Sequence, residues 1–340
     1  MFELVMPARM PRFWLRFWAA RLIRLAILLP LVAASAFALL SASPIDPVRA
    51  YVGDRMNRVG PEQQALIAAK WGLDQPPVQR FQKWAGNLAQ GDFGNSMIYG
   101  QPVTDVLVER VRASLLLMAL AWLCSGLLGF VLGLIAGALE GSWADRLIRG
   151  YAFVLASAPT FWVAILLLVV FAIELGWAPF CCAGPPGVVP ADVTWRERAA
   201  HLVLPALTLS LIGVAQLTLH TRDKMREVMA SDYATLALAQ GLSRLQIAWR
   251  HGLRNAALPA VTLQFAHLGE LFGGSILVET VFSYPGLGQA TVLAGTRGDA
   301  PLLLGIAVFA TLFVFVGNTL ADLLHYALDP RQRQPMVPAA

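Results

Sequence analysis

The sequence predicts an all-α polytopic membrane protein with six transmembrane helices and both termini on the inner face (N-in/C-in). Of the 340 residues, 57% are apolar and 14% charged, against about 25% charged in an ordinary soluble domain. Lipid is needed to cover an apolar surface on that scale. Six largely charge-free runs lie at 25–44, 114–138, 151–175, 201–220, 257–282 and 301–325; each reaches the roughly 20 residues that span about 30 Å of hydrocarbon. A strand barrel would instead show alternating segments of about ten residues. Lys and Arg set the orientation: with the N-terminus inside, fifteen of the 26 fall on the inner face. Eight of the eleven outer ones sit in one long segment, where the charge rule loses force.

Residues 1–24 form a cytoplasmic basic N-terminus carrying Arg9, Arg12, Arg16, Arg21 and Arg24, and 25–44 is the first span. The span is read as uncleaved, because Ala42-Ser43-Pro44 makes a poor signal-cleavage site. Segment 45–113 mixes charges with Gly and Pro and reads as a small folded outer domain. An amphipathic helix is expected there from Pro61 to Trp71, with Leu66, Ile67 and Trp71 at helical spacing. The remaining five spans fall within 114–325, separated by a Pro-rich outer loop at 176–200 and a cytoplasmic insertion at 221–256. Those 36 residues exceed what a helix-to-helix turn requires, and most of them read as helix. Residues 326–340 form a cytoplasmic tail.

Several chemistries are excluded. None of the three lysines (Lys70, Lys83, Lys224) follows a glycine, so no G-x-x-x-x-G-K-[ST] phosphate loop exists. H-E-x-x-H and G-x-S-x-G are also absent, and with so few lysines a nucleic-acid groove is not expected. The chain is read as a non-enzyme with no cofactor.

Polar groups at membrane depth are expensive and usually face a bundle interior or a water-filled path. Gln216, His267, Glu270, Asn318 and Asp322 are therefore candidates to line a pathway, whereas Glu174 and Glu279 fall near outer ends where water is close. His267 and Glu270, three apart, share a face of the fifth span. The pair reads either as a pathway lining or as a polar contact gluing helices, and is a weak candidate for a metal. Gly129, Gly133, Gly137 and Gly141 repeat every fourth position, which lets helix backbones approach closely in lipid, within this bundle or between chains. Adjacent Cys181 and Cys182 in the outer loop suit a soft metal, a vicinal disulfide or plain small apolar packing.

The cytoplasmic insertion carries the most specific signal. Asp232-Tyr233, Ala237, Ala239, Gly241-Leu242-Ser243, Arg250-His251, Leu253-Arg254-Asn255-Ala256 and Leu258-Pro259 follow one another, and the series resembles the EAA-type coupling segment of binding-protein-dependent ABC importer permeases of the dipeptide, oligopeptide and nickel branch. Other pieces agree in order: Gly72-Leu73-Asp74-Gln75-Pro76, Gly91-Asp92-Phe93-Gly94 with Ser96, Pro102-Val103, and Ser157-Ala158-Pro159-Thr160-Phe161-Trp162. Val278-Glu279-Thr280-Val281-Phe282-Ser283 with Pro285-Gly286-Leu287-Gly288, Asp299 with Pro301, and Asp329-Pro330-Arg331 complete the series.

The resemblance implies a type I ABC importer permease-like fold in the bacterial inner membrane. It also implies half of a translocation path for short peptides or nickel and metal chelates. The implied partners are a second permease subunit, expected as a heterodimer, two cytoplasmic ATP-binding subunits that hydrolyse ATP, and an extracytoplasmic solute-binding protein. Asp232, Tyr233, Ala237, Ala239, Gly241, Leu242, Ser243, Arg250, His251, Arg254, Asn255 and Pro259 are then the ATPase-coupling residues. In physical terms, two short helices joined at Gly241 project from the membrane, with Ala237 and Ala239 small enough to meet a partner groove, and Pro259 starts the fifth span. Relatives carry basic residues before the glycine; here Thr235, Leu238 and Gln240 stand there, which favours hydrophobic docking. The His267-x-x-Glu270 face with Leu271-Phe272-Gly273-Gly274 leans toward nickel-type members. Two alternatives stand beside this reading: an ion-coupled secondary transporter with Glu270 or Asp322 as relay, and a structural membrane scaffold.

Overall fold

The computed structural model describes residues 10–44, 46–52, 59–189 and 191–328. Arg9 and the Asp329-Pro330-Arg331 motif lie outside them. Among the described residues the regular structure is helical, with one isolated antiparallel bridge between Asn95 and Pro102. Four helices are long and apolar enough to cross a membrane, and two bent helix pairs raise the count to six if each is one span.

The helices in order are α1 (Met10–Ala42), α2 (Pro47–Val52), α3 (Pro61–Lys70), α4 (Pro77–Ala89), α5 (Val103–Ala138), α6 (Trp143–Ser157) and α7 (Thr160–Leu167). They continue as α8 (Trp195–Met229), α9 (Asp232–Ala239), α10 (Arg244–Ile247), α11 (Leu253–Ala266), α12 (Leu268–Val281), α13 (Leu287–Arg297) and α14 (Ala300–Leu328). Wider π turns follow α7 at Leu168–Glu174 and α10 at Ala248–Gly252. The chain divides into two compact units, one ending at Val106 and including Ala294–Phe315, the other comprising Leu107–Leu293 and the residues from Val316 onward.

In the first unit, Phe37 of α1 stacks against Phe81 of α4, and Arg80 lies over the Phe37 ring. Segment 91–102 is held by Asp299, whose carboxylate accepts the Ser96 hydroxyl at 2.6 Å, the Ile98 amide at 3.0 Å and the Leu302 amide at 3.2 Å. Gly94, at φ +81, brings its backbone against Pro301. Two stretches of the ordered motifs, 91–103 and 299–301, thus meet in one joint, Ser96 and Asp299 being 203 residues apart.

In the second unit, α5 packs on α8 through its glycine stripe. A Cβ at Gly133 would lie 2.5 Å from Thr221 Cβ and 2.7 Å from the Thr218 carbonyl, and one at Gly137 would lie 2.6 Å from the Arg222 carbonyl. Gly129 likewise faces Val214 and Leu217. The stripe therefore serves packing within this chain; Gly141 falls beyond α5, at φ +80.

Two of the apolar runs are not straight spans. The run 151–175 breaks between α6 and α7, which meet at 108°. Pro159 is the cause: it forces Ala158 into extended backbone (ψ 132) and lacks the N–H that would continue the α6 ladder. The run 257–282 breaks at His267, where the two halves meet at 53°. Pro259 does not begin a helix; it lies inside α11, which already starts at Leu253.

Glu279 does not reach water. It is fully buried, and its carboxylate accepts the Ser114 hydroxyl at 2.6 Å and the Gly288 and Gln289 amides at 2.6 and 3.2 Å. The backbone of Gly286 and Gly288 approaches it so closely that a Cβ on either would clash. Glu174 is exposed, as its end position suggested. Cys181 and Cys182 form a vicinal disulfide, and the Cys182 amide donates to the Phe282 carbonyl at 2.9 Å.

Candidate functional site

Two sites emerge in the second unit, at the 221–256 insertion and at the α11–α12 elbow.

The insertion is a helical hairpin. Helix α9 ends in a Schellman turn: the Leu242 amide donates to the Ala237 carbonyl and the Gly241 amide to the Leu238 carbonyl, with Gly241 at φ +89. That left-handed conformation suits glycine because a side chain there meets its own backbone. Ser243 then caps α10 in a reciprocal box with Gln246. Ala234, Ala237 and Ile247 form the small core between the two helices, flanked by Met229 and Leu242. Ala237 thus faces inward, where its size lets α9 and α10 close on each other; Ala239 is exposed.

Asn255 of α11 donates to the Tyr233 hydroxyl at 3.2 Å, tying the far side of the hairpin to α9. Asp232, Arg250, His251 and Arg254 are exposed. So are large apolar groups: Tyr233, Leu236 (61%), Leu238, Leu245 and Trp249.

The hairpin stands on a rigid base that sequence reasoning missed. Asp145 of α6 and Arg222 of α8, both buried, pair bidentately at 2.6 and 2.9 Å. Asp145 also accepts the Gly141 amide at 3.0 Å, Ser142 caps α6, and Arg226 pairs with Glu140. Below them, Met225 packs with Leu134, Ala138, Val228, Ala248 and Ala256. No motif announced this pair, since its members stand 77 residues apart.

At the elbow, α5, α7, α8, α11 and α12 border a partly open cavity of about 220 Å³ lined by Trp122, Ser125, Thr160, Gln216, Gln264, His267 and Glu270, with Leu, Ile and Gly filling the remainder of the wall. Three of the five pathway candidates, Gln216, His267 and Glu270, come together here. Asn318 and Asp322 on α14 do not line it. His267 occupies the break between α11 and α12 rather than a helix face, and its Nε2 lies 3.8 Å from Glu270 Oε2. Gln264, which sequence reasoning passed over, donates its amide to the Trp122 carbonyl at 2.7 Å and to Ser125 Oγ at 2.9 Å. The signal was present: an amide at membrane depth one turn before His267. No third His, Cys, Asp or Glu joins His267 and Glu270 in a metal-binding group among the described residues.

Residues 129–334 match the family model described as binding-protein-dependent transport system inner membrane component, and residues 14–118 match the model of its N-terminal part. The chain belongs to this family. It is similar to the oligopeptide transport system permease protein AppB of Bacillus subtilis, at 32% identity over 87% of this chain and 92% of the relative. It is 34% identical to the di/tripeptide transport system permease protein DppB of Pseudomonas aeruginosa, over 91% of this chain and 97% of the relative. It is 35% identical to the glutathione transport system permease protein GsiC of Escherichia coli K12, over 92% and 97%. In fold it is similar to a chain of the MetNI methionine ABC transporter, with a TM-score of 0.48 and 18% identity, over 66% of this chain and 97% of that one.

The protein is therefore an ABC importer permease subunit, a multi-pass component of a bacterial inner membrane, and not itself an enzyme. Its family works with ATP-binding subunits and a solute-binding protein. The ion-coupled carrier reading is not favoured, and the nickel-leaning expectation finds no support in relatives named for peptides and glutathione.

Proposed function

We propose that this chain forms one half of a translocation path for short peptides, pairs with a different permease subunit, and is driven by two cytoplasmic ATP-binding subunits that hydrolyse ATP while gripping residues 232–255. Both termini and the 221–256 insertion then face the cytoplasm, and 45–113 faces outward. The observation that carries the reading is the α9–Gly241–α10 hairpin with its exposed Leu236, Leu238, Leu245 and Trp249. These groups suit a hydrophobic groove better than an ion-pair clamp, and Thr235, Leu238 and Gln240 before the glycine add no charge. The peptide assignment is supported by the names of the relatives.

Energy transfer requires that the hairpin bind the ATP-binding subunit differently in the two states of the transporter, because a partner with equal affinity for both shifts nothing. A side chain at Gly241, held at φ +89, strains the Schellman turn that sets the angle between α9 and α10. Gly241→Asp is expected to leave membrane insertion intact and to abolish peptide uptake while ATP hydrolysis continues. Uptake at the wild-type rate in that variant contradicts the coupling assignment.

A further inference from the structure

Resting on the peptide reading above, we propose that the elbow cavity is a cation station, in which the Glu270 carboxylate takes the ammonium group of a passing short peptide. Glu270 is the one carboxylate among the lining residues, and neither Lys nor Arg joins it. Its side chain is 63% exposed. His267 Nε2, at 3.8 Å, is beyond hydrogen-bond length, so the carboxylate oxygens stay open to another donor. A cationic ligand compensates a carboxylate at membrane depth, which a neutral ligand does not.

The rest of the wall fits the same ligand. Both amide hydrogens of Gln264 are engaged by Trp122 and Ser125, so Gln264 holds the wall in place and only its side-chain carbonyl oxygen is left to accept from an ammonium beside Glu270. Leu209, Ile212 and Leu277 offer an apolar surface beside the charge. At about 220 Å³ the cavity has the volume of about seven waters, at roughly 30 Å³ each, and it admits one end of a peptide. The ammonium can come from the peptide's amino terminus or from a basic side chain.

The test uses the complete transporter in vesicles, with Cys124→Ser as background and Gln216→Cys as reporter. The thiol is modified by a cationic trimethylammonium-ethyl or an anionic sulfonatoethyl methanethiosulfonate. Relative to a free thiol in solution, the cationic reagent is expected to be favoured by about tenfold near the Glu270 carboxylate, and Glu270→Gln is expected to bring the ratio to about one. Free Ala-Ala-Ala is expected to protect the thiol and N-acetyl-Ala-Ala-Ala not to; N-acetyl-Ala-Lys-Ala shows whether a side-chain ammonium serves as well. A ratio indifferent to Glu270, or equal protection by the free and the acetylated neutral peptide, overturns the proposal. Leu277→Cys supplies the same readout should Gln216→Cys fail to assemble. ATP-driven uptake of labelled Ala-Ala-Ala by the wild-type complex is measured alongside. Uptake without protection overturns the station alone, and absence of both overturns the peptide reading with it.

Discussion

Single residues in this chain act where two backbones meet or where a charge is buried. Gly133 shows the first case: its missing side chain admits the Thr218 carbonyl and Thr221. Gly133→Ala forces α5 and α8 apart and is expected to cost about 1–3 kcal/mol, as overpacking does, read as a lower thermal unfolding midpoint of the purified complex. Gly150→Ala, also helical but with open space around it, is the control and is expected to hold or slightly raise that midpoint, by the roughly 1 kcal/mol difference in helix propensity. Asp145 and Arg222 show the second case. Asp145→Ala leaves the buried Arg222 guanidinium with only the exposed Asp223 carboxylate at 3.3 Å, a loss of up to about 3–5 kcal/mol, whereas Asp145→Leu with Arg222→Met removes the buried pair and is expected to recover most of it. Failure of the double variant to recover stability in the same thermal assay argues against the pair as the cause.

Among the elements, the long uniform helices were legible in the sequence and the broken ones were not. Apolar length identifies α1, α5, α8 and α14 because hydrocarbon thickness demands it. The same measure runs through Pro159 and His267, since composition carries no information on direction. Pro159 was quoted only as part of a motif, although a proline and its preceding residue read as a helix boundary on backbone grounds alone. At His267 nothing in the residue type marks a bend. The Gly241 turn was legible, because a glycine between two short helical stretches has few other uses. The inward facing of Ala237 was not, since it depends on Ile247 folding back from α10. Glu279 looked like a residue at the water boundary because its position along the span was visible, while its three donors, two of them backbone amides, were not.

At the scale of the whole molecule, the family motifs are joints. The Gly91–Ser96 segment meets Asp299 and Pro301, Glu279 meets the Pro285–Gly288 turn, and Tyr233 meets Asn255. The charge pair, the glycine stripe and the hairpin core pack the α9–α10 hairpin onto the end of α8 and the start of α11; under the proposed function, force applied at Leu236 or Leu245 would pass through these contacts. The decisive measurement is uptake of labelled tripeptide into vesicles holding this chain and its partner permease, with the solute-binding protein outside, and with or without the ATP-binding subunits and ATP inside. The account predicts accumulation only when both ATP-binding subunits and ATP are present; accumulation without them contradicts it.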